Sequence, residues 1–171
     1  MMQSYVDITH ADLKLINSLV EKLYHTIAEN PESIPLFKVP PASIQAVQEF
    51  FKEALVNDMN TPYKFIAFYD TDSTVDITKD EPVGVCLFVV SNLWYNPKLS
   101  ALEEVITCSF KKGAGLVRRI INFMEDYARV NNINIICASC ANAPVAKMVD
   151  NTYNKYNFYS YKTYYKEIKN N

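Results

Sequence analysis

The run Ser109-Phe110-Lys111-Lys112-Gly113-Ala114-Gly115-Leu116-Val117-Arg118-Arg119 holds the residues best placed for chemistry. The chain has only three glycines, and Gly113 and Gly115 stand here, one residue apart. An apolar, β-branched run, Val105-Ile106-Thr107-Cys108, precedes them, and a helical pattern follows. Glycine belongs where the backbone takes positive φ or where something approaches closely. A helix that starts at such a junction has N–H groups without internal partners, at the positive end of its dipole. Lys111, Lys112, Arg118 and Arg119 add positive charge around the same point. These features predict a phosphate cradle made by the N–H groups from Lys112 to Leu116. A tight strand-to-helix turn with solvated lysines is the alternative.

Two other clusters invite chemistry and offer less. Cys137-Ala-Ser-Cys140 has CxxC spacing, but no second pair stands nearby, and His10 and His25 are distant in sequence. A redox CxxC opens a helix, whereas this one ends a strand. Together with Cys86 and Cys108, these cysteines read as buried, reduced thiols. The acidic segment from Asp70 to Glu81 lacks the spacing and glycine of a calcium loop, so it reads as a solvated hairpin.

The elements that must position the cradle follow from periodicity. Strands are predicted over Tyr5–Thr9, Tyr63–Tyr69, Pro82–Ser91, Leu102–Phe110, Ile133–Ala138 and Phe158–Ile168. Helices are predicted over Asp12–Glu29, Ser43–Asp58, Leu116–Arg129 and Pro144–Tyr156. The segments Asn30–Ala42, which holds half of the eight prolines, and Asn92–Ser100, with the only tryptophan, Trp94, read as loops. Antiparallel strands followed by a β-α-β unit predict one α/β domain over 1–171, with a single mixed, mostly antiparallel sheet flanked by helices.

Composition sets the outer limits. The chain has 171 residues, 49% hydrophobic and 21% charged, enough for one domain with a real core. A net charge of −2 argues against a nucleic-acid surface. No apolar stretch spans a bilayer, and the first residues lack the pattern of a signal peptide. The expectation is a soluble cytoplasmic protein. The lack of a Gly-Lys-Ser/Thr motif argues against a nucleotide-binding domain.

Over roughly the last 70 residues the sequence resembles the GNAT superfamily of N-acetyltransferases. The family's motif is Arg or Gln, two residues, Gly, one residue, Gly or Ala; here it is Phe110-Lys111-Lys112-Gly113-Ala114-Gly115. The pattern Thr152-Tyr153-Asn154-Lys155-Tyr156-Asn157-Phe158 is similar to the family's Leu-Tyr-x-Lys-x-Gly-Phe. The closing run Tyr164-Tyr165-Lys166-Glu167-Ile168 looks like the terminal strand of small, phage-type members. Three positions depart from the pattern. Phe110 replaces the Arg or Gln. Asn157 replaces a glycine. Asn142, matched to a CoA-contacting asparagine, lies about a helical turn early.

The resemblance implies acetyl-CoA as cosubstrate and an amine, on a small molecule or a protein, as acceptor. It implies that Cys108, Ser109, Phe110, Lys111, Lys112, Gly113, Ala114, Gly115, Leu116 and Asn142 hold the cofactor. Charged hydrogen bonds of about 1.5–3 kcal/mol each outweigh a dipole term of about 0.3–1 kcal/mol, so the backbone can hold a pyrophosphate despite Phe110. The strand end near Thr107-Cys108-Ser109 would splay and offer backbone groups to the thioester. Tyr153 would protonate the leaving thiolate. Glu103 and Glu104 alternate across the strand; Glu104 is the candidate base, and His25 an outside choice. The proline-rich loop and the Trp94-Tyr95 loop would build the acceptor pocket, and a homodimer would pair through the last strands. A GNAT-fold binding protein without catalysis is the other implied reading.

Overall fold

The apolar run Phe65-Ile66-Ala67-Phe68 is fully buried on both sides, as a strand at the centre of a covered sheet must be. The computed structural model describes residues 5–28, 43–71, 74–93, 95–138 and 151–159. Among the described residues, five strands form one sheet in the order β1-β2-β3-β4-β5: Tyr5–Asp7, Tyr63–Phe68, Gly84–Leu93, Asn96–Ser109 and Ile135–Cys137. The first four pair antiparallel, and β5 joins β4 in parallel. Helices α1 (Leu13–Ala28), α2 (Ile44–Phe51) and α3 (Leu116–Val130) flank the sheet, with a π-helical segment at Lys52–Val56 and a helical turn over 151–155. The mixed, mostly antiparallel sheet flanked by helices is the predicted architecture.

Alternation divides the core into two layers. Phe65, Ala67, Val85, Leu87 and Cys108 pack beneath Ile16, Val20, Leu23 and Phe51 of α1 and α2. Ile66, Phe68, Cys86, Phe88 and Leu102 pack against Ile120, Phe123 and Met124 of α3. Helix α3 has its apolar stripe at the expected spacing and ends at Asn131, which is followed by Asn132 at φ 55°. Gly84 faces Ser109 across the β3–β4 ladder. A Cβ there would lie 2.6 Å from the Cys108 carbonyl oxygen and 2.6 Å from a Leu116 methyl. The bare backbone lets the start of α3 rest on the sheet.

Three segments differ from expectation. The predicted loop Asn92–Ser100 is mostly strand: β3 runs to Leu93 and β4 begins at Asn96, paired to Leu93. Pro97 cannot donate to a ladder. It sits where pairing jumps from Asn92–Ser100 to Leu93–Asn96, so no ladder bond is asked of it. The predicted helix Ser43–Asp58 starts as expected, with Ser43 capping the Ala46 N–H at 3.3 Å, but turns π-helical over Lys52–Val56. The first strand stops at Asp7, whose carboxylate accepts from the Thr9 N–H at 2.9 Å and bends the chain. Among the described residues no helix is long and apolar enough to cross a membrane. The loop Asn30–Ala42, Trp94, Cys140, Asn142 and residues 160–171 lie outside the described residues.

Candidate active site

At the end of β4 the backbone turns through Gly113 at φ 76° and Gly115 at φ 64°, both left-handed. A Cβ at either glycine would meet nothing within 4 Å, so conformation rather than crowding requires glycine here. Gly115 is the N-cap of α3 and offers no side chain to its first N–H groups. The Arg119 N–H makes the first helical bond, to the Gly115 carbonyl at 3.2 Å. The N–H groups of Leu116, Val117 and Arg118 precede it and fall among the orphan donors of a helix start. The turn presents backbone donors at a dipole's positive end, which suits an anion.

The cations around the turn are not the uniform fringe that the sequence suggests. Arg119 points inward: its guanidinium donates to the carbonyls of Ala114 (3.1 Å) and Tyr69 (2.9 Å) and pairs with Asp70 at 2.7 Å. Lys111 sits 3.6 Å from the same Asp70 carboxylate. Arg118 donates to the Tyr156 hydroxyl at 2.9 Å. Lys112 is exposed. Asp70, read from sequence as part of a solvated acidic turn, is thus an anchor of the glycine turn. Phe110 turns toward α1, where Lys22 lies 4.9 Å above its ring, and its N–H extends the ladder to the Val83 carbonyl at 2.8 Å. The Ser109 hydroxyl donates to the Lys111 carbonyl at 3.0 Å. Cys108 is buried, and burial pushes its thiol up to about 11. Ala114 and Leu116 pack into the α3 layer.

The second half of the site is buried. Glu104 is 5% exposed and Tyr153 8% exposed, and the Tyr153 hydroxyl donates to Glu104 Oε2 at 2.8 Å. Thr107 donates its hydroxyl to the other oxygen, Oε1. The contact depends on a β-bulge. Phe88 pairs with Glu104 and Leu87 with Ile106, so Val105 is the extra residue. Without the bulge, residues three apart would face opposite ways. With it, Glu104 and Thr107 share the α3 face. Cys86, opposite Thr107, places its sulfur 3.0 Å from the Thr107 hydroxyl. Burial and the Glu104 charge push the Cys86 thiol well up, so it stays protonated.

Tyr153 reaches the sheet from the helical turn 151–155. It packs on Ile121 and lies 5.0 Å from the Phe158 ring. The Phe158 N–H returns to the Tyr153 carbonyl at 3.1 Å through Asn157, which takes the left-handed φ of 63°. Pairing of β4 with β5 ends at Glu103–Cys137, so among the described residues 104–109 have no β5 partner. Beyond that point β4 continues beside the Glu104–Tyr153 pair toward the glycine turn.

The structure thus brings Tyr153, from the helical turn 151–155, onto Glu104, on the strand leading into the glycine turn. Glu103 is exposed on the other face. His25 stands on α1, across the sheet from Glu104, edge-on to Tyr24 at 5.6 Å between ring centres. Thr107, Cys86 and Asp70 were missed. A threonine three residues from a glutamate in a strand gives no signal unless the bulge is foreseen.

No family model matches the chain, and a search of curated proteins finds no match. Solved structures match over nearly the full length. A predicted acetyltransferase of Clostridium acetobutylicum, solved with acetyl-CoA, aligns with a TM-score of 0.64 at 14% identity, covering 98% of this chain and 96% of that one. The aminoglycoside acetyltransferase HMB0005 from an uncultured soil metagenomic sample aligns at 0.65 and 9% identity, covering 99% and 100%. A ribosomal-protein-alanine N-acetyltransferase of Brucella melitensis biovar Abortus 2308 aligns at 0.59 and 12% identity, covering 96% and 99%. The chain has the fold of the GNAT-type acetyltransferases.

Proposed function

We propose that the chain is an acetyl-CoA-dependent N-acetyltransferase acting on an amine of a small molecule or a protein. The observation that carries this reading is the buried 2.8 Å bond between Tyr153 and Glu104, on the strand that leads into the glycine cradle. Neighbours of the same fold named for an aminoglycoside and for a ribosomal-protein alanine support both kinds of acceptor. A cytoplasmic setting and a homodimer belong to the same proposal.

The residues present fit the cofactor. A turn with two left-handed glycines and an uncapped helix start suits a pyrophosphate, and the stretch of β4 beyond its pairing with β5 would lie along a pantetheine arm. Acetyl-CoA supplies an activated acyl group on a thiol leaving group. Glu104 then serves as the base for the amine, directly or through one water, and Tyr153 as the acid for the thiolate. Among the described residues the thiols of Cys86, Cys108 and Cys137 are all pushed up by burial, which makes each of these three a poor nucleophile.

A second reading, a GNAT-fold binding protein without catalysis, draws on one observation: Phe110, at the position a polar anchor would hold, turns toward α1 and Lys22. Thermal unfolding decides between them at the first step. A ligand at 100 times its Kd adds about 2.7 kcal/mol of stability. Acetyl-CoA is expected to raise the midpoint of the wild type and not of Gly113→Glu. No shift at millimolar acetyl-CoA overturns the enzyme reading. A shift followed by no thiol release across an amine panel favours the binding protein.

A further inference from the structure

The Glu104 carboxylate is held by two hydroxyls on different oxygens, and the two contacts are not equivalent. The Thr107 hydroxyl donates its single proton to Oε1. The Thr107 oxygen is then left to accept from the Cys86 S–H, which burial keeps protonated, 3.0 Å away. The chain of donors therefore runs one way, from Cys86 to Thr107 to Glu104. On the other side Tyr153 gives its proton to Oε2.

We infer that Thr107 is the positioning residue of the Glu104–Tyr153 pair: by occupying Oε1 as a donor, it leaves Oε2, the oxygen facing Tyr153, to receive the transferred proton. The inference rests on the acetyltransferase proposal for its reaction. The amine N–H bond breaks and its proton goes to Oε2. The nitrogen lone pair forms the bond to the acyl carbon, and the carbon–sulfur electrons leave with sulfur. The Tyr153 proton passes to that sulfur, and the proton on Oε2 returns to the Tyr153 oxygen. One proton leaves the amine, one reaches the thiol, and the protein ends as it began. If the incoming proton sat on Oε1, it would face Thr107 and could not recharge Tyr153.

The test compares Thr107→Val, which keeps the shape and loses the hydroxyl, with Thr107→Ser, which keeps the hydroxyl. Thiol release is followed with acetyl-CoA and three amine probes: an aminoglycoside, a polyamine and an alanine-initiated peptide. The expected result is a fall in kcat of about tenfold or more in the valine variant, with KM for acetyl-CoA unchanged, and recovery in the serine variant. A second measurement needs no turnover: the 13C signal of the Glu104 carboxyl, labelled and assigned against Glu104→Gln, should move in Thr107→Val and return in Thr107→Ser. A signal that moves while kcat does not, or a serine variant no better than valine, overturns the inference and leaves a structural contact. A signal that does not move overturns it at its root. Wild-type protein that shows no thermal shift with acetyl-CoA and no thiol release fails the acetyltransferase proposal instead, and the positioning role falls with it whatever the carboxyl signal does.

Discussion

The glycine turn and the Glu104–Tyr153 pair meet on β4 and are built in opposite ways. The turn is made of backbone: two left-handed glycines, an uncapped helix start, and an arginine that holds carbonyls rather than a ligand. The pair is made of side chains drawn from positions 49 residues apart, buried, and satisfied by hydroxyls. A backbone site tolerates most side-chain changes and fails when conformation is lost. A buried side-chain site fails when one atom is lost, because each remaining polar group is then left without a partner. The contrast teaches where each half should break.

The largest effect is expected at the turn's conformation. Gly113→Glu places a Cβ at φ 76°, a strain of about 1–2 kcal/mol, and sets a carboxylate where a phosphate would bind. Acetyl-CoA should lose its thermal shift altogether, while urea unfolding without ligand shows only that modest loss. The neighbouring exposed change Lys112→Ala should keep most of the shift; equal losses in the two variants would erase the contrast.

Next comes the buried pair. Tyr153→Phe and Glu104→Gln should each lower kcat by about 100-fold or more while leaving the acetyl-CoA thermal shift near that of the wild type. Glu104→Ala should also destabilise the fold by about 1–3 kcal/mol, because the hydroxyls of Thr107 and Tyr153 lose their acceptor. A Glu104→Ala protein as stable as the wild type, by chemical denaturation, would mean that the network contributes little.

A smaller effect is expected where the two halves join. Arg119→Met removes the bonds to Ala114, Tyr69 and Asp70, so the turn loses its brace but keeps its glycines. The Kd for acetyl-CoA, by calorimetry, should weaken by about tenfold, or about 1.4 kcal/mol, with kcat little changed.

The smallest effect is in pH dependence. The Cys108 thiol is raised by burial, first of all, to about 11 from an ordinary 9.0. The unfolded chain ionises first, so the stability that goes with a neutral thiol is complete below about pH 9 and falls as pH rises toward 11. The slope of stability against pH in that window should flatten in Cys108→Ala. At pH 8 iodoacetamide should label the folded protein far more slowly than the unfolded one at this cysteine.

The same contrast explains what could be read in the sequence. The turn was legible because glycine is rare in this chain and two stand together after an apolar run. The strands around it were legible from alternation, and α3 from its stripe. Tyr153 and Glu104 were each named as candidates, but nothing in the sequence joined them, since their contact needs the β4 bulge and the position of the 151–155 turn. Thr107 was hidden for the same reason. Asp70 was hidden because a carboxylate in an acidic turn reads as solvated until a distant arginine is seen to take it.

Gly84 makes the third glycine part of the same place. It lies opposite Ser109 and beneath Leu116, so every glycine in the chain serves one joint between β4 and α3. In evolutionary terms the joint has no spare parts elsewhere. A lineage that drifts away from glycine at any of the three positions loses the seat of α3 or the turn, and no other position in the chain can supply the missing freedom. Libraries of random variants should therefore show their intolerance of glycine loss as a single spatial cluster. A descendant that has abandoned the cofactor would be free to refill Gly113 and Gly115 while still keeping Gly84, which packing alone demands.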